Sequence, residues 1–180
     1  MKKQLITTIV LILTVFVSAN SQEEQVKILP EFNHSIGFDA GGSNGYGFSY
    51  RYWPGKWGVQ INTFPYISVK TYDVSFGVSL LNRLYESEKI RFYLYYGNHL
   101  LFERYENFNY NYEPNPPYEY TYTTAYKSDF TWVTGVGPGF EFYMANRLGF
   151  NIRFGIGYYF RGSDDWEIQP DGGIGLCFRF

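Results

Sequence analysis

The chain has a single cysteine, Cys177, and two histidines, His34 and His99. One thiol excludes an intrachain disulfide framework and a paired-cysteine metal site. Two histidines leave little with which to hold zinc. Charge is sparse too: 15 Lys and Arg stand against 17 Asp and Glu, for a net charge of −2. That balance lacks the basic excess expected of a nucleic-acid-binding protein. Beyond residue 17 there is no long apolar run, and the mean hydropathy is −0.28. A bundle of transmembrane helices is therefore excluded. What the sequence has in plenty is Tyr (19), Phe (17) and Gly (19), with aromatics at 22%. That is too aromatic for a disordered chain. Aromatics and glycines without long apolar runs imply strands and turns, in one domain at 180 residues.

The first residues read as an address. Met1-Lys2-Lys3 precedes a run from Leu5 to Val17 that is apolar except for Thr7, Thr8 and Thr14, and Ser18-Ala19-Asn20-Ser21 follows. This is the layout of a secretory signal peptide, and a cut after Ser21 would put Ala19 at −3. No cysteine follows the apolar run, so a lipoprotein anchor is not expected. The domain expectation is thus 1–21 signal peptide and 22–180 exported domain.

From Phe32 onward, alternating segments are separated by turn signals, the pattern of a transmembrane β-barrel. Eight segments are expected: Phe32–Ala40, Gly45–Trp53, Trp57–Tyr66, Tyr72–Leu81, Ile90–Phe102, Phe130–Tyr143, Gly149–Arg161 and Ile174–Phe180. In the seventh, Phe150, Ile152, Phe154, Ile156, Tyr158 and Phe160 oppose Asn151, Arg153, Gly155, Gly157 and Tyr159. Ten residue steps make roughly 33 Å of strand, which on tilting covers an apolar band about 25 Å tall. Connections after the second, fourth and sixth segments are short, whereas Glu103–Asp129 is long. The fold class that follows is an all-β, eight-stranded antiparallel up-and-down transmembrane barrel.

Side-chain size decides which face meets lipid. One face carries Phe, Tyr, Ile and Trp, and the other is rich in Gly and Ser. An eight-stranded barrel is just wide enough inside for side chains to fill, so the small face belongs inside. A soluble, lipocalin-like barrel with aromatics around a cavity is the competing reading. Asp39, Arg51, Asp73, Arg91, Glu141, Arg153 and Arg179 all fall on the small-residue face and are expected to form a lumenal ion-pair network. Arg91, Arg153 and Arg179 are the candidate partners of Glu141. Aromatics near segment ends suit interfacial girdles: Tyr52, Trp53, Trp57, Phe142 and Phe178 at one rim, and Tyr46, Tyr66, Tyr72, Trp132 and Tyr158 at the other.

With the signal peptide, the eight segments and the terminal Phe180 in view, the chain resembles the small outer-membrane barrels of the OmpA-transmembrane-domain, OmpX and OmpW-like type. Its Gly- and Tyr-rich strands are similar to the barrel family common in Bacteroidota. The resemblance covers Phe32–Phe180 and rests on pattern. It implies a bacterial outer-membrane location, lipid as the surrounding partner, and recognition of Phe180 by the barrel-assembly machinery. No OmpA-like periplasmic domain is expected, because the sequence ends at Phe180.

No constellation demands chemistry, so no catalytic residue, metal or cofactor is expected. His34-Ser35 and His99 are the only places for a histidine-assisted nucleophile, such as a lipid-modifying barrel would use. His34 is expected to face lipid near one rim. His99 is expected near the other, as an interfacial residue with no Ser or acid on the same face nearby. Cys177 reads as a lumenal filler. Gly135-Val136-Gly137-Pro138-Gly139 lacks the helix and the Lys or Ser/Thr of a phosphate loop. The Glu103–Asp129 segment is rich in tyrosine, and Tyr110, Tyr112, Tyr118, Tyr120 and Tyr122 are the candidate contacts for an extracellular glycan or protein. Its Glu119–Thr124 stretch alternates, as a hairpin extending the fifth and sixth strands would. A narrow small-solute pore is a further expectation to be tested.

Overall fold

The computed structural model describes residues 32–68, 70–112, 120–145, 147–162 and 165–180. The expected signal peptide lies outside the described residues. Eight strands follow in order: β1 (His34–Gly41), β2 (Gly45–Tyr52), β3 (Trp57–Ile67), β4 (Tyr72–Glu86), β5 (Ile90–Tyr112), β6 (Tyr120–Ala145), β7 (Leu148–Arg161) and β8 (Asp165–Arg179). Each pairs antiparallel with its chain neighbour, and β1 pairs with β8, so the sheet is a closed barrel. The seam is made by Ser35↔Arg179 through Gly41↔Gly173. It is extended by mutual backbone hydrogen bonds between His34 and Phe180, N–H to O at 3.2 and 2.9 Å.

The strands differ in length, and the differences are where the sequence reading stopped short. The fourth strand continues past Leu81 to Glu86, with a register shift between Arg83 and Tyr85. The eighth begins at Asp165 rather than Ile174. The fifth and sixth run to Tyr112 and from Tyr120, so most of the long connection is a two-stranded ribbon beyond the barrel rim. Prolines sit where a missing N–H is tolerated. Pro65 lies beyond the last pairing of β3 with β2, and Pro170 beyond the last pairing of β8 with β1. At Pro138 the β6–β7 pairing lapses between Val136↔Ile156 and Gly139↔Arg153.

The polarity is inverted relative to a water-soluble barrel. Outward positions hold Phe38 (61% exposed), Ile156 (63%), Val136, Ile174 and Leu176, whereas inward positions hold buried Arg51, Arg153, Gln60, Asn62 and Glu141. An apolar exterior around a charged interior suits hydrocarbon outside, and closure pairs the backbone groups that lipid cannot satisfy. This argues against the lipocalin-like alternative, whose apolar face would line the inside. Two girdle expectations need correction. Trp53 is buried in the lumen, two residues beyond inward Arg51 on the same face. Tyr46 also turns inward, its hydroxyl donating to Asp73 at 2.5 Å. Positive φ at Gly45 (74°) and Gly47 (111°) interrupts the pleat around it.

Because the cost of a lipid-facing charge depends on depth, two positions on β8 separate this exterior from a water-exposed one. Ile174→Arg, midway along the apolar face, should lower stability to urea in phospholipid vesicles by roughly 2–4 kcal/mol, and Ile168→Arg near the outer rim by about 0–1 kcal/mol. Equal costs at the two depths would contradict a lipid-facing exterior.

Candidate functional site

The lumen is stratified. At the end of the barrel where Phe180 lies, Glu141 accepts from Arg51 at 3.1 Å and from Arg91 at 3.4 Å. Arg91 also pairs with Glu86, which is contacted by Arg83, by Arg179 at 3.8 Å and by the Tyr143 hydroxyl at 3.0 Å. The Arg179 guanidinium lies over the Tyr143 ring at 3.9 Å, and that of Arg91 over Trp53 at 4.6 Å. The Cys177 thiol donates to Glu141 at 3.2 Å. Of the three arginines expected as partners of Glu141, Arg91 is in contact with it. Arg51 was not among those candidates: it reaches Glu141 across the lumen from β2, and only the closed ring brings the two together. Arg153 instead pairs with Asp39, and Arg179 with Glu86.

Higher in the lumen the Gln60 amide oxygen accepts from Arg51 Nε and Nη2 (3.1 and 2.9 Å) and from Arg153 Nη1 (3.2 Å). One neutral side chain thus bridges two guanidinium groups. Asp73, by contrast, lies outside the arginine cluster. It stands beside Glu103 in register at the far mouth.

The third stratum is the β1–β2 turn, which enters the barrel. Ser43 is 0% exposed and Asn44 is buried. The Ser43 N–H donates to Asp171 Oδ1 at 3.0 Å, its hydroxyl donates to Oδ2, and the Tyr95 hydroxyl donates to Oδ2 at 2.9 Å. The Asn44 amide donates to Ser79 Oγ at 2.6 Å, and Asn62 Nδ2 donates to the Asn44 carbonyl at 2.7 Å. His99, expected at the lipid interface, is 4% exposed inside the lumen. Its Nδ1–H donates to the Gly42 carbonyl at 2.8 Å, which leaves Nε2 to accept from Ser75 at 2.9 Å. Its odd position on β5 pointed inward, and the diagonal step to Ser75 depends on the β4–β5 register. His34 lies where expected near the Phe180 rim, bonded to the Tyr50 hydroxyl at 2.7 Å and stacked on Tyr52 and Phe180.

Above the turn lies a cavity of about 950 Å³, lined by Gly42, Tyr46, His99, Glu103, Asp129 and Tyr159 among others. The ribbon rises from its edge. At the ribbon's base Tyr105 donates to Asp129 at 3.0 Å, Tyr126 donates to Glu106 at 3.3 Å, and Arg104 lies 4.6 Å over the Tyr126 ring. Lys127 is bonded to Asp129 and Tyr105, which hold its ammonium above the usual lysine range. Farther out, register sets Tyr110 opposite Tyr122 and Tyr112 opposite Tyr120, while Tyr118 lies outside the described residues.

Asp171 and Glu86 lie beyond the eighth and fourth segments that the sequence pattern defines. Asp171 shares the alternation of inward Gly173, Cys177 and Arg179, whereas even-numbered Glu86 is turned inward by the register shift between Arg83 and Tyr85, which sets it opposite Arg91. Among the described residues no group of three or more His, Cys, Asp and Glu is placed to hold a metal. The geometry brings two arginines onto one buried carboxylate, and removing that carboxylate leaves Arg51 with no carboxylate partner and Arg91 with Glu86 alone. Glu141→Ala should therefore cost about 3–5 kcal/mol in urea unfolding in vesicles. A loss within the range of an exposed ion pair, about 0–1 kcal/mol, would contradict burial of the network.

No family model matches the sequence, and none of the curated proteins is similar to it. Solved structures similar in fold include the N-terminal β-barrel domain of Pseudomonas aeruginosa OprF, at 13% identity and a TM-score of 0.44, covering 82% of this chain and 95% of that one. Ail, the attachment invasion locus protein of Yersinia pestis, aligns at 15% identity and a TM-score of 0.41, covering 82% and 96%. Neisserial surface protein A aligns at 13% identity and a TM-score of 0.36, covering 82% and 94%. The fold assignment itself rests on the strand register and inside-out polarity of this chain.

Proposed function

We propose that the protein is a bacterial outer-membrane barrel with a lumen closed by side chains, acting at the cell surface through the β5–β6 ribbon. Residues 1–21 serve as its signal peptide in this reading, and Phe180 as its assembly signal. The observation that carries the proposal is the length of the ribbon. Pairing of β5 with β4 ends at Arg104, and pairing of β6 with β7 starts at Thr131, yet β5 and β6 stay paired out to Tyr112↔Tyr120. Closing the barrel does not require that extension. Tyrosine supplies rigid, amphipathic contact area at low entropic cost, which suits recognition of a glycan or protein.

Deleting Asn107–Thr124 should abolish retention on immobilised oligosaccharide or protein arrays while leaving the barrel folded, as read by its heat-dependent gel mobility. Retention that survives the deletion would overturn the ribbon's role.

A narrow pore is the second reading. It draws on five buried lumenal atoms without a hydrogen-bond partner among the described residues: Asp39 Oδ2, Trp53 Nε1, Tyr93 Oη, Asn151 Oδ1 and Arg153 Nε. Such groups are commonly met by water, and a continuous file of water would conduct. The charge-paired arginines favour closure. Planar bilayers should accordingly stay silent with the wild-type protein. Steps of conductance that change on Glu141→Gln or Arg153→Gln would favour the pore. A histidine-assisted enzyme has the least support, because Ser75 beside His99 is buried and Ser35 beside His34 faces the lumen rather than the histidine's side.

A further inference from the structure

We infer that the turn between β1 and β2 is a releasable stopper, latched inside the barrel by Asp171 and His99. The inference rests on the closed-lumen reading and adds a movable part to it. The arginine cluster belongs to the strands themselves. The turn is a separate object: Gly42, Ser43 and Asn44 fold into space that the strands leave for them. A Cβ at Gly77 would lie 1.9 Å from the Asn44 carbonyl oxygen, and one at Gly135 would lie 2.7 Å from Ser43 Cβ. The wall is thus cut to the shape of the turn.

What holds the turn is polar throughout. Asp171 accepts from the Ser43 N–H and hydroxyl, Ser79 and Asn62 engage Asn44, and His99 donates to the Gly42 carbonyl. Each of these bonds can be exchanged for one to water, so leaving the lumen strands no apolar side chain. The turn is flanked by residues without a Cβ, Gly41 at the end of β1 and positive-φ Gly45 and Gly47 at the start of β2, which leave its two ends the widest choice of backbone conformations. Gly41, Gly42 and His99 also line the outer cavity. A molecule seated there would rest on the stopper and on one of its two latches.

The test reads emergence of the turn directly. In detergent micelles, Ser43→Cys is introduced together with Cys177→Ser and labelled with a bulky, water-soluble maleimide, with Gly55→Cys, where an added side chain meets open space, as the reference. Labelling at position 43 should be slow in this parent and should accelerate by roughly tenfold or more on adding Asp171→Ala or His99→Ala, as expected when local opening exposes a site. The two latch variants are made separately, so one that fails to keep its β-sheet circular dichroism leaves the other to decide. Parent labelling as fast as the Gly55→Cys reference would overturn the proposal, as would unchanged slow labelling in a folded latch variant. Planar-bilayer recordings on the wild-type protein keep the two readings apart. Ion conductance together with slow labelling of the parent would break the closed-lumen reading and leave the latch standing.

Discussion

Everything in this molecule follows from closing the sheet. A strand edge carries a row of free N–H and C=O groups, and hydrocarbon offers them no partner. The seam from Ser35↔Arg179 to Gly41↔Gly173 removes that edge. It also fixes the strand count as even, since β1 and β8 must run antiparallel like every other pair. Once the ring is shut, every barrel residue faces either lipid or lumen, and alternation along the strands assigns the side except where positive-φ glycines at the start of β2 and the register shift in β4 break it.

Closure creates a second problem, inside. An eight-stranded ring is about one layer of side chains wide, and its lumen must be filled without stranding charges. The chain meets this in two chemically different ways. Toward Phe180, arginines and carboxylates neutralise one another, with Gln60 bridging Arg51 and Arg153. Toward the ribbon, where the carboxylates Asp73, Glu103 and Asp129 stand side by side in register, the filling is backbone folded in from the β1–β2 turn. Buried ion pairs of the first kind contribute little net stability but are costly to break, so they fix the lumen's arrangement more than they strengthen it.

Much of this was legible in the sequence because strand period is two. The inward placement of Asp39, Arg51, Arg91, Glu141, Arg153 and Arg179 is a matter of parity, and so is the outward placement of Phe150 to Phe160. Parity also places Trp53 and His99 in the lumen, against the interfacial role that their positions near the rims suggest. Pairings across the ring could not be read: Arg51 meets Glu141 only through closure, and Ser75 meets His99 only through register. The inward turn was hidden for a different reason. Gly41-Gly42-Ser43-Asn44-Gly45 has the composition of an ordinary exposed turn, and its destination is set by glycines on other strands, Gly77 and Gly135 among them.

The central claim is a closed barrel with its apolar face toward lipid, and gel mobility of the detergent-extracted outer-membrane fraction, boiled against unboiled, tests it most directly. A ring with no open strand edge resists SDS until it is heated, so the protein should be found in that fraction and run at two positions, the unboiled one shifted from the boiled. A protein recovered as a soluble periplasmic species with one mobility before and after boiling would contradict the account, and would turn the aromatic face into the wall of a cavity.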